Sequence, residues 1–325
     1  MMTIGNNNVF KYGKKILNNQ ILFIFVLLLL MCIIFGLFSP HFFTISNLTA
    51  ITIQASVIAM LAAGQTFVII SGGIGLDAGS VVALTSVVSA MVMASTDSVF
   101  SGIGVGLLLG CCIGTINGIV IGYLKLPPFV ATLGMMQIAR GIALIITGGI
   151  PVYQLAKGSD FLGQSKFLGI PISTITVFFL YVFCFFILIK TKRGRYTYAI
   201  GSNTEASFLS GIDIKKQLIF IYIVAGITAG LAGLTELSRI GSGQPGSGNG
   251  YELDAIASVV LGGTSMSGGV GNVWGSLIGA LLIATMRNGL NVINVDAYWQ
   301  QVTIGAIIIL TVYLDRIRNS TNSIS

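Results

Sequence analysis

Long uncharged apolar runs alternate with short polar segments along this chain. The first runs from Ile21 to Phe38, just after Lys11, Lys14 and Lys15. Then come Leu48–Leu76, Ala78–Thr96, Val99–Leu124, Leu126–Ala156 (interrupted only by Arg140), Leu168–Ile189, Gln217–Thr235, Ala255–Met286 and Ala297–Leu314. A helix crossing a bilayer needs about 20 apolar residues. Ala255–Met286 is 32 residues without a charge and contains Gly262-Gly263-Thr264-Ser265-Met266-Ser267-Gly268-Gly269, so it divides into two helices at those glycines. The pattern predicts an all-α integral membrane protein, a polytopic bundle of about ten transmembrane helices. The first run is longer than the roughly 7–15 apolar residues of a signal peptide and ends in Ser39-Pro40-His41 without a small-residue cleavage site, so it reads as a retained span.

Composition agrees. Apolar residues make up 54% of the 325 and charged residues only 8%, against roughly 25% charged in soluble domains. The net charge of +7 reads as an orientation signal once the charges are placed. With ten spans and the N-terminus inside, the cytoplasmic segments hold Lys11, Lys14, Lys15, Lys125, Lys190, Lys192, Arg193, Arg195, Lys215, Lys216, Arg316 and Arg318. The outside loops hold Lys157, Lys166 and Arg239. Twelve against three satisfies the positive-inside rule and puts both termini in the cytoplasm. The predicted organisation is a tail over 1–20, a transmembrane domain over 21–315 with a cytoplasmic segment at about 191–216, and a tail over 316–325. The expected location is the cell inner (plasma) membrane, multi-pass, with the lipid bilayer and not a nucleic acid as partner.

Three polar segments stand out. In Thr191–Lys216, Asn203 is placed to cap a short helix that carries Glu205 near its positive end. Arg239–Asp254, rich in Gly and Ser, and Gly148–Gly169, of mixed charge, are expected as outside loops. A faint internal echo links Ser71–Ser80 with Leu261–Gly271, each glycine-rich and each leading into an apolar helix; transporters carry internal repeats with glycine-broken helices near their pathways, and membrane helices also use glycine for close packing.

The chemistry of catalysis is missing from the sequence. The single histidine, His41, has neither a nearby carboxylate nor a nearby cysteine, which argues against a His-based triad or a zinc site. Cys32, Cys111, Cys112 and Cys184 lie in apolar runs and read as packing residues. The sequence contains no Gly-x-x-x-x-Gly-Lys-Ser/Thr loop and no Gly-x-Ser-x-Gly elbow. The ionisable candidates within spans are Asp77, Arg140, Glu236, Glu252, Asp254 and Arg287. Most lie at predicted span ends, where capping and interfacial snorkelling account for them. Gln65, Asn117, Gln137 and Asn288 are the polar residues of the spans that suit passage of a neutral, hydroxyl-rich solute. So little buried charge points to energy supplied by another chain.

Gly64-Gln65-Thr66, Ser71-Gly72-Gly73-Ile74-Gly75-Leu76-Asp77-Ala78-Gly79-Ser80 and Leu126-Pro127-Pro128-Phe129-Val130-Ala131-Thr132-Leu133-Gly134 resemble signatures of the sugar permeases of ATP-binding-cassette importers. So do Ala199–Ser207 with Ser210-Gly211-Ile212, and Gln244-Pro245 with Gly250–Ala257 and Val260–Ser265, continuing through Gly268-Gly269, Gly275, Asn288–Asn291 and Tyr298. The resemblance covers about residues 20 to 316 and is nearest the ribose permease branch. One motif departs. Where the family usually reads Gly-Ile-Asp-Leu-Ser-Val-Gly, this chain has Gly73-Ile74-Gly75-Leu76-Asp77-Ala78-Gly79, with the acidic residue two places later.

The resemblance implies a non-catalytic permease subunit that carries a monosaccharide, ribose or a similar sugar, delivered by an extracytoplasmic binding protein. It implies a second permease copy, most simply in a homodimer, and a partner ATPase holding ATP and Mg, with no cofactor or metal on this chain. Asn203, Glu205, Ala206, Ser210 and Gly211 are then the expected coupling residues. Gln65, Asn117, Gln137 and Asn288 are the pathway candidates, and Gly72, Gly73, Asp77, Gly79, Gly262, Gly263, Gly268 and Gly269 mark the helix breaks. The alternatives are a stand-alone secondary carrier, or a permease of the same family for another ligand such as autoinducer-2 or galactofuranose.

Overall fold

The computed structural model describes residues 20–296, 298–306 and 309. Among them the regular structure is helical apart from one small hairpin, with irregular chain between the helices. The helices are α1 (Gln20–Phe38), α2 (Ile45–Ile70), α3 (Ala78–Thr96), α4 (Val99–Gly122), α5 (Pro128–Thr147), α6 (Ile172–Lys190), α7 (Lys192–Ser202), α8 (Thr204–Leu209), α9 (Ile214–Ile240), α10 (Tyr251–Leu261) and α11 (Val273–Val292). Strands β1 (Lys166–Phe167) and β2 (Ile170–Pro171) pair antiparallel between α5 and α6. The expected tails lie outside the described residues, Gln20 excepted. So does part of the last expected span, of which residues 298–306 are described and helical.

Among the described residues eight helices, α1–α6, α9 and α11, are long and apolar enough to cross a membrane. The polytopic all-α reading therefore holds, with one change in the count. The chain does break at the glycines inside Ala255–Met286, between α10 and α11. However, α10 has only 11 residues, about 16 Å at 1.5 Å per residue, roughly half a hydrocarbon core. The remaining depth is taken up by residues 241–250, irregular chain that turns at Gly248 and Gly250, both at positive φ. Leu48–Leu76 breaks in a similar way. Helix α2 stops at Ile70, Gly72 turns the chain at φ 83°, and residues 73–77 run without helix beside α2. Backbone polar groups in a membrane must be paired by protein. Here the Gln65 amide donates to the Gly75 carbonyl and the Thr132 hydroxyl to the Ile74 carbonyl.

Helix α2 is the axis of the bundle. Its apolar window is 89% buried, with Met60, Leu61, Phe67, Ile69 and Ile70 fully enclosed. A helix apolar all round fits that position. Helices α1, α5 and α6 are peripheral and expose large apolar side chains such as Ile33, Ile145 and Phe183. That arrangement is stable where the solvent is lipid.

Helix α4 meets α9 through glycines spaced four apart, Gly106, Gly110, Gly114, Gly118 and Gly122, while Gly102 of the same row faces Ser89 and Met93 of α3. A Cβ on Gly110 would stand 2.3 Å from the Gly226 carbonyl oxygen, and one on Gly226 would stand 2.1 Å from that of Gly110. The two backbones touch, which is how helices gain packing where no hydrophobic effect drives them together.

At the end of the bundle that carries Lys190, Lys192, Arg193 and Arg195, the polar segment forms two helices. Thr191 caps α7, its hydroxyl accepting from the Gly194 N–H at 3.1 Å. Buried Gln217 of α9 ties α7 down, donating to the Arg193 carbonyl at 2.8 Å and the Thr197 hydroxyl at 3.0 Å. As expected, Asn203 caps the short helix α8 and accepts from the Ala206 N–H at 2.8 Å.

Candidate functional site

The first turn of α10 is where most of the intramembrane charge gathers. Asp254, 1% exposed, accepts from Arg287 of α11. Tyr251 donates its hydroxyl to Glu236 of α9 at 3.0 Å, and Glu236 is held by the Arg239 guanidinium at 2.8 and 2.9 Å. Glu252 lies within electrostatic reach of Arg140 of α5. Arg140 itself donates to the carbonyls of Pro245 and Ser247 at 2.8 and 2.7 Å. Three arginines on three long helices thus converge on one half-helix and the chain leading into it. Sequence position alone made these residues look like caps and snorkelling ends. They are partnered inside the bundle, because an ionised group held from water needs a counter-charge.

This corrects the reading of Arg239–Asp254 as an outside loop. After Gly241 the segment folds into the bundle. Gly243 lies against Ser86, Val87 and Ala90 of α3, and Gly248 lies against the Gly79 backbone. Ser242, Gly243, Pro245 and Gly248 are buried. The carbonyls exposed by leaving the helix are satisfied by Arg140, and one bridge joins Gly243 to Val152. The Gly148–Gly169 segment lies over the same end, with Gly163 donating to Ser238 and Gln164 donating to the carbonyls of Ser238 and Arg239.

Opposite the basic end, a half-open cavity of about 480 Å³ is bounded by the start of α2, the end of α11 and the 163–166 turn. Ser46, Thr49, Gln54, Gln164, Asn288 and Asn291 give it a neutral hydrogen-bonding wall, with Lys166 and Arg239 at the side. Asn288, a pathway candidate, is on this wall and donates to Asn47 at 2.9 Å. The other candidates are elsewhere. Asn117 donates to the Asp77 carboxylate at 2.7 Å and Gln65 to Gly75, both deep in the bundle. Gln137 is exposed on the outer face of α5.

Comparison with known proteins supplies the family. The family described as "Branched-chain amino acid transport system / permease component" matches residues 47–312. The chain belongs to this permease family. It is 40% identical over 294 residues to the ribose import permease protein of Escherichia coli (strain K12), covering 89% of this chain and 92% of that one. It is 42% identical over 295 residues to the ribose import permease protein of Bacillus subtilis (strain 168), covering 90% and 91%. The D-allose transport system permease protein of Escherichia coli (strain K12) is 38% identical over 295 residues, covering 90% of each chain. No solved structure matches.

In this permease the altered Gly73–Gly79 motif has a definite geometry. Asp77 stands at the N-terminus of α3, and its carboxylate turns to Asn117 of α4. A side chain at Gly75 would run into the Gln65 amide, 2.6 Å from a Cβ. Of the break glycines, Gly72, Gly263, Gly268 and Gly269 have positive φ, whereas Gly73, Gly79 and Gly262 are places of close approach. Coupling candidates Asn203, Glu205, Ala206, Ser210 and Gly211 all lie on or beside α8 and are exposed. Sequence reasoning missed Gln217 and Asn47, whose partners Arg193, Thr197 and Asn288 are distant in sequence, and Tyr222, a buried tyrosine inside an apolar run. Among the described residues no group of three His, Cys, Asp or Glu could hold a metal ion.

Proposed function

We propose that this permease is the membrane subunit of an ATP-binding-cassette importer and forms the passage for a monosaccharide handed over by an extracytoplasmic binding protein. The observation that carries the reading is the 38–42% identity, over nine-tenths of the chain, to permeases named for ribose and D-allose. The family description names branched-chain amino acids instead. The wall of the 480 Å³ cavity favours the sugar, since among the described residues it offers amides, hydroxyls and two cations but no carboxylate to receive an ammonium group. We take that cavity, with Asn288, as the outer mouth. Gln65, Asn117 and Gln137 are then assigned to the helices that shape the passage and move with it.

The exposed helix α8 is the proposed seat of the ATPase. Asn203, Glu205, Ala206, Ser210 and Gly211 would make the contact, with ATP and Mg held entirely by that partner. Two permease copies in the inner membrane would enclose the passage, and nucleotide-driven closure of the ATPases would switch it between two states. The test is reconstitution of the permease with its ATPase and binding protein. ATP hydrolysis should rise with sugar-loaded binding protein, and uptake should be indifferent to a protonophore. Uptake driven by a proton gradient without an ATPase would establish a secondary carrier instead. Stimulation by leucine-loaded but not sugar-loaded binding protein would replace the substrate class.

A further inference from the structure

Beneath the Gly72 turn lies a largely enclosed cavity of about 20 Å³, lined by Gln65 and Val68 of α2, Gly75 and Asp77, Asn117 of α4, and Tyr222 of α9 among others. Two of its polar atoms, Gln65 Oε1 and Tyr222 Oη, are buried without a hydrogen-bond partner, and their residues are 3% and 2% exposed. The amide of Gln65 is oriented, because its nitrogen donates to the Gly75 carbonyl. One Asp77 oxygen accepts from Asn117. Gly73 and Gly75 keep the space open, since a Cβ at either would stand 2.7 Å from the Tyr222 hydroxyl or 2.6 Å from the Gln65 amide nitrogen.

Leaving a buried hydroxyl and a buried amide oxygen unpaired costs about 1–3 kcal/mol each. A cavity needs roughly 10–15 Å³ to hold one water, and a buried water typically makes about three hydrogen bonds. We propose that this cavity is a binding site for one ordered water molecule, which accepts from the Tyr222 hydroxyl and donates to Gln65 Oε1 and the Asp77 carboxylate. A metal cation is the competing ligand, given the carboxylate and the lack of Lys or Arg in the lining among the described residues. Such ions take about six or more oxygen ligands, and the cavity has no room for the extra waters that would complete the shell. The water joins α2, α9 and the non-helical 73–77 crossing at one point. Tyr222 is therefore a positioning residue for that crossing, although it touches it through solvent.

The test uses the full-length permease in its assembled complex. A map that resolves ordered solvent should show a peak about 2.7–3.2 Å from Gln65 Oε1, Tyr222 Oη and an Asp77 oxygen. A map with no peak there, or with the tyrosine hydroxyl turned directly onto Asp77, overturns the proposal. Tyr222→Phe and Gln65→Met should each lower the Tm by about 2–4 °C, and the double variant by no more than the larger single effect, because either change releases the same water. Additive losses would contradict a shared ligand. Exchanging sodium for choline should leave the Tm unchanged; sodium-dependent stabilisation that Tyr222→Phe abolishes would assign the site to a cation instead.

Discussion

Arg287 on α11 meets both oxygens of the Asp254 carboxylate on α10, at 2.9 and 2.7 Å. Removing one partner leaves the other charged and buried, which costs about 3–5 kcal/mol, whereas replacing both is far milder. Arg287→Met is expected to cut the folded yield and lower the Tm, and Asp254→Asn combined with it should restore most of both. Monodisperse yield in detergent and thermal unfolding measure this. A wild-type Tm for Arg287→Met alone would mean the pair does not hold α10.

Arg140 carries a different burden, because its guanidinium serves two backbone carbonyls that left a helix to line the bundle. Arg140→Met should release the segment around Ser247 at a cost of about 1–3 kcal/mol per unpaired group. With Ser247→Cys as reporter, thiol labelling from the outer side should be slow with Arg140 present and at least several-fold faster without it. Equal labelling rates would show that the clasp is dispensable.

For α8 the expected effect is local. Asn203→Ala removes a cap worth about 1 kcal/mol, and Asn203→Asp keeps it. In the reconstituted complex, stimulation of ATP hydrolysis should fall for Asn203→Ala with little change in Tm and should survive in Asn203→Asp. An unaltered Asn203→Ala complex would move the coupling site elsewhere.

Asp213 begins α9 and accepts from the Lys216 N–H at 3.1 Å, with the Lys216 ammonium 3.0 Å away. These bonds hold its carboxyl below the ordinary 3.8. A lowered native pKa means the cap is at full strength above the ordinary value and is lost as pH falls through the native one. Both groups are exposed, so the effect is confined to the first turn of α9. Amide exchange over residues 214–217, corrected for intrinsic rates, should show protection falling below about pH 4, a dependence absent in Asp213→Asn.

Much of this architecture was legible in the sequence, because a bilayer constrains composition so strongly. Ile21–Phe38, Ala78–Thr96 and Val99–Leu124 coincide closely with α1, α3 and α4. The cap at Asn203 was legible for the same reason that it works, a short polar side chain followed by a turn's worth of amides. The half-helix α10 was not, since length counts measure apolar residues and not how far the chain travels. Residues 241–250 looked solvated because Gly and Ser are common in loops. Arg140, more than a hundred positions earlier, and Val152 reveal that their carbonyls are answered within protein. The spacing of Gly102 to Gly122 was visible, yet it became meaningful only when Gly226 was seen on the other side.

That glycine seam has a mechanical consequence. With backbones in contact around Gly110, Gly114 and Gly226, α4 and α9 pack as one unit along this stretch. Helix α9 has 27 residues, about 40 Å at 1.5 Å per residue. It starts just after α8 and ends at Ile240, next to Arg239 beside the half-helix. The seam braces α9 as a connecting rod between its basic end and the arginine cluster, the route by which we expect a displacement at α8 to be felt across the bundle.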